Sequence, residues 1–385
     1  MRIIYPVPEL LPDLRARFIQ IVNTCHALAE IGIETLLIAG IKRGYSEEEI
    51  LEFYGISRHP NFKFIRLPLV RMEQPKHLRF SWHGVFHLSL LLHLLFMKPC
   101  KGEHTVLFLR HIKLADFIMK FRRVLGIPII FEVHEIFHLS TNERKRKKIR
   151  DIEYRVYNKV DAIVSISESI KNYLFHMGIS NRSIYTIPDG VRKEWFDVNR
   201  STTSSYICYT GSLYPWKGVD ILISAMKYMP DEKLLIVGAG SRLEELENLA
   251  RTEGVSGRVN FVGAVSHTSI PEYLSQAKLA VLPNIPDGPS QFSSPLKLFE
   301  YMACGIPIVA SDIPIFHEIL TKGDNVIFFE PGSPEALAIS LKKLIDDPKL
   351  AARIAFNARE GARNYTYEKR AKRIFEVVEM LYKQK

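Results

Sequence analysis

Four short segments gather the side chains able to do chemistry. In residues 209–220, YTGSLYPWKGVD, an apolar strand ends at Gly211, a polar loop follows, and Lys217-Gly218 opens the next helix. An ammonium beside the free amides of a helix start suits a phosphate; a solvated surface lysine fits the same letters. In residues 291–311, QFSSPLKLFEYMACGIPIVAS, Ser293, Ser294 and Pro295 suit a helix start. Lys297 and Glu300 are three apart, hence neighbours on one helical face. A carboxylate near a phosphate needs another partner, and ribose hydroxyls supply one; a surface ion pair is the plainer alternative. In residues 126–137, GIPIIFEVHEIF, an apolar strand ends in Glu132, His134 and Glu135. In LLIVGAGS, Gly238 and Gly240 fit a dinucleotide fingerprint, but Leu243 stands at the third glycine position. Two glycines are weak evidence for a dinucleotide site, and the plainer reading, a tight strand-to-helix turn, is preferred.

Elements must hold these groups in place. Both halves alternate short β-branched runs with helical periodicity, which predicts parallel sheets covered by helices. The first half offers MRIIYPV, ETLLIAG, FKFIRLP, TVLFLRH, PIIFEVH and AIVSIS as strands; the second offers SYICYTG, KLLIVGA, VNFVGAV, LAVLPN, PIVAS and NVIFFE. The first strand is expected to break at Pro6 and Pro8, and a helix to run over residues 15–31, with Gly32 past its end. Between the halves, SIYTIPDGVRKEWFDVNRSTTSS opens with a Pro-Asp-Gly turn and closes on a polar run, reading as a domain boundary. The expected organisation is residues 1–190, residues 191–365, and a final helix over 366–385. Two doubly wound domains would face a central cleft at the carboxyl ends of their strands.

Composition narrows the function classes. Apolar residues make up 47% of 385 and charged residues 24%, which excludes a largely disordered chain. Four dispersed cysteines, with no C-x-x-C pair, read as reduced thiols in the cytosol. No secretory leader is expected from MRIIYPVPEL. Net charge is +10, all of it in residues 1–200, where 31 Lys and Arg face 21 Asp and Glu; beyond them the counts are 21 and 21. Such a field attracts nucleic acid, anionic head groups or a phosphorylated substrate. The basic run 142–150, NERKRKKIR, lacks interleaved aromatics, so nucleic acid is not the expected partner. Residues 83–97, HGVFHLSLLLHLLFM, are too few to cross a bilayer; a buried helix is expected, an interfacial one being the alternative.

Taken together, these segments resemble glycosyltransferase family 4, retaining enzymes of the GT-B fold that use nucleotide-sugars. TIPDGV is similar to the family's I-P-N-G-V turn, GSLYPWKG to its G-R-L-x-x-x-K-G loop, LKLFEYMACGIPIVAS to L-E-A-M-A-x-G-x-P-V-V-A-S, and IFEVHEIF to a strand ending in V-x-H-D. The resemblance implies that Lys217 and Lys297 bind the donor diphosphate, with Gly211, Ser212 and Gly238 in the loops beside it. It implies that Ser293, Ser294 and Leu296 offer amides to the phosphates, that Glu300 takes the ribose, and that Val265 lies by the base. His134 would sit by the donor sugar, making His134, Lys217 and Glu300 the catalytic set. No metal and no resident cofactor are implied.

Three positions depart from the family pattern. Ser212 stands where an arginine is usual, with Lys297 restoring the charge. Phe292 replaces the first glutamate of the E-x7-E motif, leaving Gln291 and Asp287 as substitutes. The first strand runs into PELLPDLRARF, where Arg15 and Arg17 are candidates for an anionic acceptor; Glu135, after the strand ending in His134, is a further acceptor-side candidate. The expected activity is transfer from a UDP- or GDP-sugar to a hydroxyl of a lipid-linked or cell-surface glycan precursor. The expected location is cytoplasmic, peripheral on the inner membrane face, whose anionic surface the basic half would meet. A nucleotide-sugar epimerase and an inactive scaffold of the same fold are the alternatives.

Overall fold

The computed structural model describes residues 1–69, 82–97, 104–179, 183–201, 205–292 and 294–383. The chain divides into two compact units, one of Met1–Pro188 with Tyr367–Lys385, the other of Asp189–Thr366.

The first unit is built on seven parallel strands: β1 (Arg2–Leu11), β2 (Glu34–Ile41), β3 (Phe62–Arg66), β4 (Thr105–Leu109), β5 (Ile129–Val133), β6 (Ala162–Ser165) and β7 (Ser183–Thr186), in the order β3-β2-β1-β4-β5-β6-β7. Their near-continuous apolar runs are those of strands covered on both faces; β4 and β5 are buried along their whole length. The chain reverses direction across the sheet once, between β1 and β4, which places a topological switch point there.

Two expectations are corrected here. β1 does not break at Pro6 and Pro8 but runs on to Leu11, with a register shift between Val7 and Leu10. Its pairing with β4 covers only Arg2 to Ile4, so beyond that point only β2 bonds to it. A missing N–H is tolerated where one side of a strand has no neighbour. The segment SIYT, read as part of the boundary, is the edge strand β7.

The second unit carries six parallel strands: β8 (Tyr206–Thr210), β9 (Leu234–Val237), β10 (Val259–Gly263), β11 (Ala277–Leu282), β12 (Ile308–Ser311) and β13 (Ile327–Phe329), in the order β10-β9-β8-β11-β12-β13. One core packs Leu222, Ile236, Val281 and Leu341 on one face of this sheet; another packs Phe299, Met302, Ile308 and Phe316 on the other. The unit's two ends lie together, since Val191 bridges Thr366 and donates its N–H to the Tyr365 carbonyl.

The chain then returns to the first unit as the helix Tyr367–Lys383, which packs on the helix Ala16–Glu30. A buried ion pair fixes it: the Arg370 guanidinium reaches Glu132 on β5 and donates to the carbonyls of Ile187 and Pro188, both at 2.6 Å.

Candidate nucleotide site and its neighbours

Three glycines shape the carboxyl edge of the second sheet. Gly211 follows β8 with φ 126° and Gly238 follows β9 with φ 149°. A Cβ on Gly238 would lie 1.9 Å from the Gly211 carbonyl oxygen, so the two backbones meet where no side chain fits. Past the loop, the turn Pro215–Lys217 leads to Gly218 in the left-handed region, where a Cβ would strike the Pro283 carbonyl at 1.9 Å. Lys217 is thereby fixed at the start of the helix Val219–Ala225.

Lys297 comes from the opposite direction, on the helix Leu296–Ala303. Its side chain is buried, with Nζ 3.6 Å from the centroid of the Tyr209 ring and pressed against Gly211. That ammonium has no hydrogen-bond partner among the described residues. Burial, and then the charge of Lys217, hold Lys297 well below the ordinary lysine range. Burial lowers Lys217 to about 8. Burial and the mutual repulsion of these two lysines outweigh the opposing charge of Glu300 on Lys297, and an anion bound beside them would favour both ammonium forms.

The helix start differs from the serine-capped one expected. Pro295 occupies the cap position and no side chain caps the first turn, so its leading amides remain open to a ligand. Ser294 precedes Pro295, and Leu296 is the first helical residue; Ser293 lies outside the described residues. Glu300 follows one turn after Leu296 and is 7% exposed. Its Oε1 lies 2.7 Å from Nε2 of His267, and the His267 ring packs on the buried Trp195 at 5.1 Å. Neither His267 nor Trp195 was singled out from the sequence. Val265 sits half-buried on the loop after β10, two residues before His267. Ser212 is held through its carbonyl, which accepts from the Tyr209 hydroxyl at 2.8 Å.

Beside Phe292, the Gln291 amide donates to the Pro286 carbonyl at 3.0 Å.

In the first unit, His134 follows β5, with Nε2 2.8 Å from Glu132 Oε2. Glu132 is fully buried; it also accepts from the Tyr5 hydroxyl at 2.7 Å and pairs with Arg370. Burial alone would raise its pKa, but His134, Arg370 and Arg110 together hold it well below the ordinary carboxylate range. The loop beyond His134 is pinned by a second buried carboxylate. Glu153 accepts from the amide of Phe137 at 2.7 Å and lies 2.5 Å from His138 Nδ1. Glu135 is exposed. The two arginines proposed for an acceptor already have partners: Arg15 bonds Asp13 at 2.8 Å and Glu9 at 3.1 Å, and Arg17 pairs with Glu9.

Residues 19–195 match the family model of Glycosyltransferase Family 4, and residues 191–361 match that of Glycosyl transferases group 1. An uncharacterised glycosyltransferase of Methanocaldococcus jannaschii is 26% identical over 240 residues, 59% of this chain and 60% of that protein. Among the first curated relatives, the matched stretch spans 22% to 66% of the relative's length. Two solved structures share the fold over nearly the whole chain. Sucrose-phosphate synthase from Thermosynechococcus elongatus has a TM-score of 0.81 at 18% identity, with 100% of both chains covered. HepE of Anabaena has a TM-score of 0.74 at 16% identity, covering 99% of this chain and 100% of its own. With two Rossmann-like parallel-sheet units and both family models matched in tandem, the chain belongs to glycosyltransferase family 4 and has the GT-B fold.

Proposed function

We propose that this glycosyltransferase moves a sugar from a UDP- or GDP-sugar to an acceptor hydroxyl with retention of configuration. The observation that carries the reading is Lys297, whose buried ammonium has no hydrogen-bond partner among the described residues, lies against Gly211 and feels the charge of Lys217, on a helix whose first turn no side chain caps. A diphosphate supplies the missing negative charge. When the donor bond breaks, charge grows on the leaving phosphate, and fixed cations aimed there stabilise the transition state more than the ground state. Glu300, with one oxygen on His267, takes the ribose hydroxyls with the other. Val265 lies against the base, and the amides of Ser293, Ser294 and Leu296 meet the phosphates. The structure of HepE, which shares this fold, holds UDP.

His134, held at Nε2 by a buried carboxylate, is given the task of orienting or polarising the donor sugar, not of removing a proton. The leaving phosphate takes the acceptor proton, and neither a metal nor a resident cofactor is assigned a step. The acceptor is a lipid-linked or cell-surface glycan precursor, met at the cytoplasmic face of a membrane, with no part for nucleic acid.

Thermal shifts with UDP, GDP and ADP test the reading, with Glu300→Ala as control. A ligand at a hundred times its Kd adds ~2.7 kcal/mol to stability. A shift with one nucleotide, lost in the variant, supports the donor site; no shift with any of the three overturns it.

A further inference from the structure

Residues 134–141 leave β5 at its carboxyl end and form a turn outside the sheet. Within it, the amides of Leu139 and Ser140 bond the Ile136 carbonyl, and the Thr141 hydroxyl donates to that of Phe137. Ile136 and His138 are buried. His134 opens this turn. Glu132 holds its ring from the strand side, but the backbone that carries the ring depends on what anchors the turn.

The anchor is a single carboxylate. Glu153 lies on the buried face of the helix Glu143–Tyr157, with Ile149 and Val156. It accepts from two successive amides of the turn, Phe137 at 2.7 Å and His138 at 3.3 Å, and from the Tyr157 hydroxyl at 3.3 Å. It also faces His138 Nδ1 at 2.5 Å. A carboxylate only accepts, so Nδ1 is the donor. The other ring nitrogen, Nε2, lies 3.0 Å from the hydroxyl of Tyr173, on the helix Glu168–His176. Glu153 and His138 thus tie the turn to the helices that follow β5 and β6.

A carboxylate is a demanding way to fill a core position. Burial raises the Glu153 pKa even against His138 and the two amides, so the ionised form is held at a cost in stability. An apolar side chain would pack there, but it would leave both amides without their acceptor and the turn free to take another path. What the carboxylate secures is one backbone course for residues 134–138.

We propose that Glu153 and His138 are positioning residues, which hold the turn after β5 so that His134 meets the donor sugar in one fixed orientation. The inference rests on the role given to His134 above. Both residues act through the backbone that carries the histidine, not on the sugar.

Glu153→Gln keeps the shape but turns one accepting oxygen into a donor that opposes the amides of the turn. Steady-state kinetics on the full chain should show kcat lowered by roughly ten- to a hundredfold, the scale of an ångström's misplacement, with donor KM and melting nearly unchanged. His138→Ala should lose turnover likewise. His138→Asn, whose amide replaces the Nδ1–H donor, should recover most of it.

The double variant His134→Ala/Glu153→Gln separates positioning from any other role. The expected turnover is no lower than that of His134→Ala alone, since Glu153 then has nothing left to position. Losses that multiply would mean that Glu153 acts elsewhere and would overturn the proposal. So would parental turnover in Glu153→Gln while His134→Ala is impaired. Unimpaired His134→Ala would overturn the role of His134 and the proposal together, a result told apart because it involves no change at Glu153. A readout without turnover is the His134 imidazole resonance in histidine-labelled protein, assigned with His134→Ala. It should shift in Glu153→Gln and return in His138→Asn; a resonance unmoved by Glu153→Gln overturns the proposal.

Discussion

His267 Nε2 stands 2.7 Å from Glu300 Oε1, though 33 residues separate them. The imidazole thus fixes one oxygen of a buried carboxylate and leaves its second oxygen for another donor. Trp195, packed on the imidazole, prevents the ring from turning away. A vicinal diol is the natural complement of a carboxylate held this way.

Glu300→Ala should therefore weaken binding of the cognate nucleoside diphosphate by roughly ten- to a hundredfold, the range of a charge-assisted hydrogen bond. His267→Ala should cost less, because it releases the carboxylate without removing it. Calorimetry with the 2′,3′-dideoxy nucleotide is the decisive control. If Glu300→Ala weakens that analogue equally, the carboxylate is not reading the ribose.

Proton linkage follows from the lysine pair. Lys217, lowered to about 8 by burial, loses its charge as pH rises through that value in the free protein. A bound diphosphate favours the ammonium, so binding takes up a proton there and affinity falls by roughly tenfold per pH unit above 8. Lys297, held well below its ordinary range by burial and by the charge of Lys217, contributes to the uptake as well, and Lys297→Met should remove that part. Calorimetry in two buffers of different ionisation enthalpy counts these protons; a count of zero across this window refutes the linkage.

For His134→Ala, turnover should fall steeply while nucleotide affinity stays within about twofold, since the histidine lies in the other unit from Lys217 and Glu300. Steady-state rates and calorimetry on the same preparation separate the two. Unchanged turnover would remove His134 from the mechanism.

Stability should depend on Arg370. Arg370→Met leaves Glu132 buried without its nearest cation, a change worth ~3–5 kcal/mol in denaturant unfolding. The double variant Glu132→Gln/Arg370→Met should recover part of that loss. The folded protein holds the Glu132 pKa below its unfolded value. Its contribution is therefore complete above the ordinary carboxylate range and drains away as pH falls below it. Acid unfolding of Arg370→Met should start at higher pH than that of the parent.

What was legible in the sequence was local. The runs ending at Gly211, Gly238 and Gly263 announced strands because β-branched residues and glycines follow one another directly. Lys217, Lys297 and Glu300 were found because each sits on a short motif. Pairings between distant residues left no such trace. Tyr209 under Lys297, His267 on Glu300 and Arg370 on Glu132 lie 88, 33 and 238 positions apart, and only the strand order brings them together. Composition also misled at the Trp82–Phe96 helix: fifteen residues without a formal charge suggested burial on all sides, whereas the helix lies at the margin of the layer and buries one side only. Arg15 and Arg17 were readable as cations, but not as cations already answered by Glu9 and Asp13.

The ion pair between Glu132 and Arg370 also sets an order of assembly during synthesis. β5 leaves the ribosome with its carboxylate 238 residues ahead of the guanidinium that will neutralise it. At about 5–20 residues per second, that wait lasts on the order of ten seconds to a minute. The second unit is contiguous and complete in that interval, so it finishes first. The first unit, although it begins the chain, closes last, and nascent chains stalled before Arg370 should expose its unfinished sheet to chaperones.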